Sequence, residues 1–211
     1  MTKKNYFDGI RKSLSNASEL FDDAEVLFKL NRLPRAYTLY QLAIEEIGKA
    51  SIIYNFILRE NYQDELEQRK FKKQFLSHPK KTENSIGLDV LLAFLIPNSK
   101  LKTKIIYQVY NQEKSIEKLN NLKNNSLYTN LQNGKFIAPK EIIKNKLASD
   151  IQFVAQIRLN VAKQFYKIAI ENFDKLQEAT KNINEEEMIT NPPEEILELS
   201  KFKSSITIEK S

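Results

Sequence analysis

The sequence holds no cysteine and one histidine, His78, in 211 residues. Without thiols there is neither a disulfide scaffold nor a cysteine-ligated zinc site. With one imidazole, a histidine-rich metal cage is excluded, and any histidine chemistry must use His78. Chain breakers are scarce as well, with 4 Gly and 6 Pro. That scarcity, beside abundant Leu, Ile, Lys and Glu, favours long helices over a β fold with many turns. Long apolar runs are missing too. The longest, residues 90–96, falls far short of the roughly 18 residues that span a bilayer. The opening Met1-Thr2-Lys3-Lys4-Asn5-Tyr6 is basic but is followed by no apolar signal-peptide core. Together these absences predict a cytoplasmic protein with no membrane partner.

What is present fits a globular helical domain. A hydrophobic fraction of 41% and a charged fraction of 28% allow a buried core and a solvated surface. The net charge of +6 is compatible with a nucleic-acid partner and equally with a general over-use of lysine along the chain.

Periodicity organises the chain into helices. In residues 7–30, Ile10, Leu14, Ala17, Phe21, Ala24 and Phe28 step by three or four, the spacing of one helical face. After a short link, Pro34 suits the first turn of a second helix over residues 34–59. That helix is apolar on most sides and is therefore expected at the centre of the bundle, antiparallel to the first. Residues 65–73 read as helical. Pro79 predicts a break at His78, and a short apolar helix follows over 86–96. Another helix is expected over 102–124, with Ile105, Ile106, Val109, Ile116 and Leu119 inward. Asn133-Gly134 is a hairpin signal, but it stands alone, so residues 126–138 are read as an ordered loop. A long helix is expected from about residue 138 to 180. Its inner face would hold Ile143, Leu147, Ile151, Val154, Ile157, Val161, Phe165, Ile168 and Phe173. The fold class is thus all-α: one helical domain over residues 1–180 and a charged, partly ordered tail over 181–211, with a possible short helix at 193–202.

Three polar groups carry the candidate chemistry. The first is Glu45, Glu46 and Lys49 around Gly48, set mid-helix among apolar residues. Either carboxylate reaches Lys49 at a spacing of three or four. A charge on a buried face demands a partner, so the group is either an internal salt bridge or a polar site at a cleft. Gly48 weakens a helix by about 1 kcal/mol relative to Ala, which suits close helix approach. The second group is His78 with Lys81. It reads either as an exposed loop histidine or as a base or phosphate contact that titrates near neutral pH. The third is Lys123, Asn124 and Tyr128 at an expected helix end, read either as a cap favouring the helix dipole or as a cation, an amide and a phenol gathered for a ligand.

In order and rough spacing, these elements resemble the AbiV-type abortive-infection proteins of the HEPN superfamily. The likeness covers about residues 7–175. Its motifs are a small residue followed by Glu45-Glu46-Ile47-Gly48-Lys49, then His78 with Lys81, then Lys123 with Ser126-Leu127-Tyr128. The resemblance implies a helical core, a homodimer, and a role in stopping phage multiplication at the expense of the infected cell. Many HEPN proteins are metal-independent ribonucleases whose motif is an arginine, often followed by asparagine, and a histidine a few residues on. Here that register holds Lys123, Asn124 and Tyr128, so the arginine is replaced by lysine and the histidine by tyrosine. RNA cleavage needs a base for the 2′-OH proton and a cation for the phosphate charge. Lys123 supplies a cation without a guanidinium's bidentate fork, and a phenol with a pKa near 10 is a poor neutral-pH base, so His78 would have to join the site.

The expectations are therefore specific. Lys123, Asn124, Tyr128 and His78 line an RNA site, with Glu45, Glu46, Lys49 and Lys81 supporting it or binding substrate, and with no metal or cofactor. The partners are a second copy of the chain, RNA or the translation machinery, and a phage protein as trigger. The rival expectation is a non-enzymatic helical module that binds a phage or ribosomal protein. A third reading pairs the chain with a nucleotidyltransferase that modifies Tyr128.

Overall fold

The first helix of the computed structural model starts earlier than the apolar spacing suggests, because Thr2 caps it. The structure describes residues 1–59, 62–95 and 112–181. α1 spans Lys3–Lys29. The Thr2 hydroxyl accepts from the Asn5 N–H at 3.3 Å, and the Asn5 side chain accepts from the Thr2 N–H at 2.9 Å. Two N–H groups that a bare helix end would leave without partners are thereby satisfied. The chain reverses at Asn31, whose φ of +57° suits an asparagine. α2 then runs over Leu33–Leu58, with Pro34 in its first turn.

α2 is the central helix, as its two-sided apolar pattern predicts. Seventeen of its 26 residues are buried, so no face of it is left to solvent for long. On one side Ile10 and Leu14 of α1 pack with Ile47, Tyr54 and Ile57. On the other side Tyr37, Tyr40 and Ile44 pack with Ile143 and Ile151. α3 (Glu65–Leu76) is capped by the Asp64 carboxylate, which accepts from the N–H groups of Leu66 and Glu67 at 2.8 and 3.0 Å. α4 covers His78–Leu95 and α5 covers Gln112–Leu127. A hairpin follows, with β1 at Asn130–Gln132 and β2 at Lys135–Ile137. The last described elements are α6 (Pro139–Ile142), α7 (Asn145–Glu171) and α8 (Phe173–Thr180). No helix among the described residues is long and apolar enough to cross a membrane.

Four expectations need correction. The break expected at His78 falls one residue earlier, at Ser77, whose ψ of 117° is extended. His78 opens α4, and Pro79 sits in its first turn, where a missing N–H costs nothing. The apolar segment read as a helix over 86–96 is therefore the second half of one longer helix. Residues 126–138 are a hairpin and not a loop. Asn133 and Gly134 take φ of +50° and +74°, the left-handed pair that a two-residue turn requires, and Leu131 pairs with Phe136 across it. The long helix over 138–180 is three helices. Ile143 and Lys144 turn extended, which carries the Ile143 side chain to 1% exposure in the core. At Asn172 the side-chain amide donates to the Ile168 carbonyl at 3.0 Å and competes with the backbone ladder. Finally, the helix expected over 102–124 is described only from Gln112 and continues to Leu127. Residues 102–111, including Ile105, Ile106 and Val109, lie outside the described residues, as do 182–211 with the expected tail helix.

Candidate functional site

Glu45 lies on the face of α2 that meets both α4 and α5, and it is 3% exposed. A bare carboxylate there would be strongly disfavoured, so both oxygens are engaged. Lys123 of α5 donates from Nζ to Oε1 at 2.6 Å, and Oε2 lies 2.5 Å from Nδ1 of His78. The Lys123 side chain is as buried as the carboxylate, at 6%, whereas the imidazole is 55% exposed. Glu45 therefore joins an internal cation to an imidazole at the surface.

α5 is fixed on α2 by polar contacts flanking Lys123. The hydroxyls of Ser126 and Thr38 lie 2.6 Å apart, and Ser126 Oγ also donates to the Lys123 carbonyl at 2.6 Å. Arg35 of α2 donates to the Leu127 carbonyl at 3.0 Å, supplying a cation at the negative end of α5. α4 is fixed by contact at glycine. A Cβ on Gly48 would stand 1.8 Å from the Lys81 carbonyl oxygen, so α2 and α4 cross with backbone against backbone. One turn before Lys81, α4 presents His78 to Glu45.

Two further pairs complete the cluster. Lys49 forms an ion pair with Glu46, and its Nζ lies 5.5 Å from the centroid of the Phe75 ring. Lys81 is buried at 7% exposure. Its pKa is pushed down by burial first and by the Lys49 charge second; Glu45 and Glu46 pull it up, and Lys123 pushes it down again. Side chains from α2, α4 and α5 thus share one electrostatic environment in which three lysines face two carboxylates.

Of the residues singled out in the sequence, Glu45, Glu46, Lys49, His78, Lys81 and Lys123 are neighbours in this cluster. Asn124 and Tyr128 are not drawn into it. Both are exposed, Tyr128 to 67%, and the bond between them is backbone, from the Tyr128 N–H to the Asn124 carbonyl at 3.1 Å. Sequence reasoning missed a buried polar layer beneath the cluster. Gln41 is fully buried, donates to Thr82 Oγ1 at 3.3 Å, and its own Oε1 has no partner among the described residues. One turn further along α4, Arg158 of α7 donates to Ser85 Oγ at 2.9 Å. The available signal was helical spacing, because Gln41 is one turn before Glu45 and Thr82 one turn after His78.

The geometry permits acid–base work at the surface. A carboxylate beside Nδ1 favours the tautomer with the proton there. The lone pair of Nε2 is then free to take a proton from a bound molecule, and of the three lysines Lys49 is the one with a side chain partly open to solvent, at 22%.

A family model described as AbiV, of the HEPN class, matches residues 5–159 of the chain. That span contains α1 from Asn5 onward, α2 through α5, the hairpin and every residue of the cluster. Comparisons with curated proteins and with solved structures gave no match.

Proposed function

We propose, from the premise that this chain belongs to the AbiV family of HEPN proteins, that it is an abortive-infection protein that disables RNA in the infected cell and uses His78 for proton transfer. The observation that carries this reading is the shared carboxylate. Glu45 holds Nδ1 of His78 at 2.5 Å and Nζ of Lys123 at 2.6 Å, which orients an exposed imidazole as a general base is oriented. In RNA cleavage Nε2 would take the proton of a ribose 2′-OH. The resulting oxygen attacks the adjacent phosphorus as the P–O5′ bond breaks, and the 5′-oxygen takes a proton from water while His78 returns its own to solvent, giving a 2′,3′-cyclic phosphate and a 5′-hydroxyl end. Lys49, with a side chain 22% exposed, can be reached by a phosphate. Lys123 is buried and neutralised by Glu45, so its role is to position that carboxylate rather than to touch RNA. The protein works in the cytoplasm, as a homodimer, after a phage cue.

The test uses a phage-sensitive host expressing wild type, His78→Ala or His78→Gln. Wild type should reduce plaque formation and yield RNA fragments with 5′-hydroxyl ends. Both variants should lose about 10²-fold or more of the cleavage, the usual contribution of a positioned base. Equal fragmentation by all three proteins removes His78 from the mechanism.

A second reading is favoured by the burial of Lys123 and by the position of Tyr128 away from the imidazole. In it the chain is a non-enzymatic module that blocks translation by gripping a ribosomal or phage protein. Plaque reduction with intact RNA and a stoichiometric protein partner would support that reading over the first.

A further inference from the structure

The hairpin leaves apolar side chains in water on one side only. Ile137 of β2 is half-buried, so the strand face it shares with Asn130 turns toward the helices. The cross-strand pair on the opposite face, Leu131 and Phe136, is 59% and 79% exposed. Phe136 has the most exposed aromatic ring among the described residues, and Tyr128 just before the hairpin is 67% exposed. The surroundings are basic. From residue 128 to 150 the exposed lysines are Lys135, Lys140, Lys144 and Lys146, against the carboxylates of Glu141 and of Asp150, which pairs with Lys146 at 2.9 Å, so the balance stays positive.

We infer that this outward face of the hairpin is a stacking platform for single-stranded RNA. The inference rests on the reading that RNA is the target, and it adds which form of RNA and where it is held. An aromatic ring with a free face accepts any base, and nearby lysines hold the phosphates between successive bases. A stacked strand needs no more than such rings, whereas a stable protein interface covers about 800 Å² per partner with a packed apolar centre. One leucine, one phenylalanine and one tyrosine amid lysines fit the first requirement better. The hairpin follows α5 directly, and Tyr128 at its start bonds through its N–H to the carbonyl of Asn124, the residue after Lys123. Duplex RNA offers no free base faces and would engage only the lysines.

The experiment measures fluorescence anisotropy of the full chain with a labelled RNA 12-mer, 2′-O-methylated throughout, single-stranded or annealed to its complement. The probe has no 2′-OH, so binding is read whether or not the protein cleaves. The single strand should bind more tightly than the duplex. Phe136→Leu keeps apolar bulk and removes the ring, and should weaken single-strand binding about tenfold or more, the loss expected for one base stack. Phe136→Trp should restore it. Equal binding by wild type and Phe136→Leu, or no binding by wild type, overturns the platform. If phage protection nevertheless depends on Phe136 while wild type ignores RNA, the face belongs to a protein partner and the inference is wrong. Ring-dependent binding without any RNA cleavage in cells would keep the platform and reject proton transfer by His78; cleavage with ring-independent binding would do the reverse.

Discussion

Gly48 of α2 lies against the backbone of Lys81 of α4, so closely that a methyl group at Gly48 would overlap the Lys81 carbonyl oxygen at 1.8 Å. The obstacle is main chain and has no rotamer by which to yield. The contact sets how far His78, one turn earlier on α4, stands from Glu45. In most helices Gly→Ala is a gain of about 1 kcal/mol. Here that gain is outweighed, and Gly48→Ala should lose about 1–3 kcal/mol as α4 is forced away. For a chain of this size the melting temperature should fall by roughly 2–4 °C per kcal/mol. Calorimetry checks it, and an unchanged or raised melting temperature would contradict the crossing.

Glu45 and Lys123 should be strongly coupled. Glu45→Gln leaves a buried lysine without its counter-charge, and Lys123→Met leaves a buried carboxylate with only the exposed imidazole. Each single change should cost about 3–5 kcal/mol. The double variant should recover much of the loss, because it removes both charges and leaves a methionine to fill the space. Urea unfolding of the four proteins gives the coupling energy, and additive losses would show that the pair does not act as one unit.

His78→Ala should behave differently from both. The imidazole is 55% exposed, so its contact with Glu45 contributes under about 1 kcal/mol to folding. Thermal melting within a few degrees of wild type would let any lost phage protection be assigned to chemistry. A large fall in stability would mean that the imidazole is a structural partner of Glu45.

Alkaline pH should unfold the protein through its tyrosines. Burial pushes Tyr37 up to about 12. Tyr40 is raised by burial first and by its bond to Glu25 second, and Tyr54 and Tyr166 are raised chiefly by burial. An unfolded phenol ionises near 10. Between that value and the folded one the unfolded chain binds fewer protons, so stability is full below pH 10 and falls as pH rises toward 12 and beyond. Lys81 opposes the trend, since its lowered pKa makes its burial less costly as pH climbs toward its ordinary value of 10.5, but it is one group against four. Tyrosinate absorbance and loss of helical ellipticity should rise together above pH 10. Full ionisation of all phenols with helicity intact would refute the burial of this group.

Gly134→Val should disturb the hairpin alone. The position has φ of +74° with open space around an added Cβ, so the cost is backbone strain and not a clash. The strands are exposed, and global stability should change by less than about 1 kcal/mol. A cooperative loss of several kcal/mol would mean that the hairpin is part of the core.

The sequence by itself determined the all-α class, the central place of α2 and the identity of the residues with unusual chemistry. Helical periodicity is a local property, and a carboxylate or a glycine among apolar neighbours is conspicuous wherever it folds. The exposed pair Leu131 and Phe136 drew no notice, because a three-residue strand has too little period to read. The break at Ser77 and the splitting of the last helix at Ile143 and Asn172 were also hidden: Ile143 turns into a core built from distant residues, and at Ser77 and Asn172 the helix yields to short-range side-chain bonds that periodicity does not register. Tertiary structure alone decided that Glu45 of α2 would hold both His78, 33 residues away, and Lys123, 78 residues away. Nothing local specifies such a meeting. It follows from which helices can bury their apolar faces on α2, and from the one glycine that lets α4 come close enough.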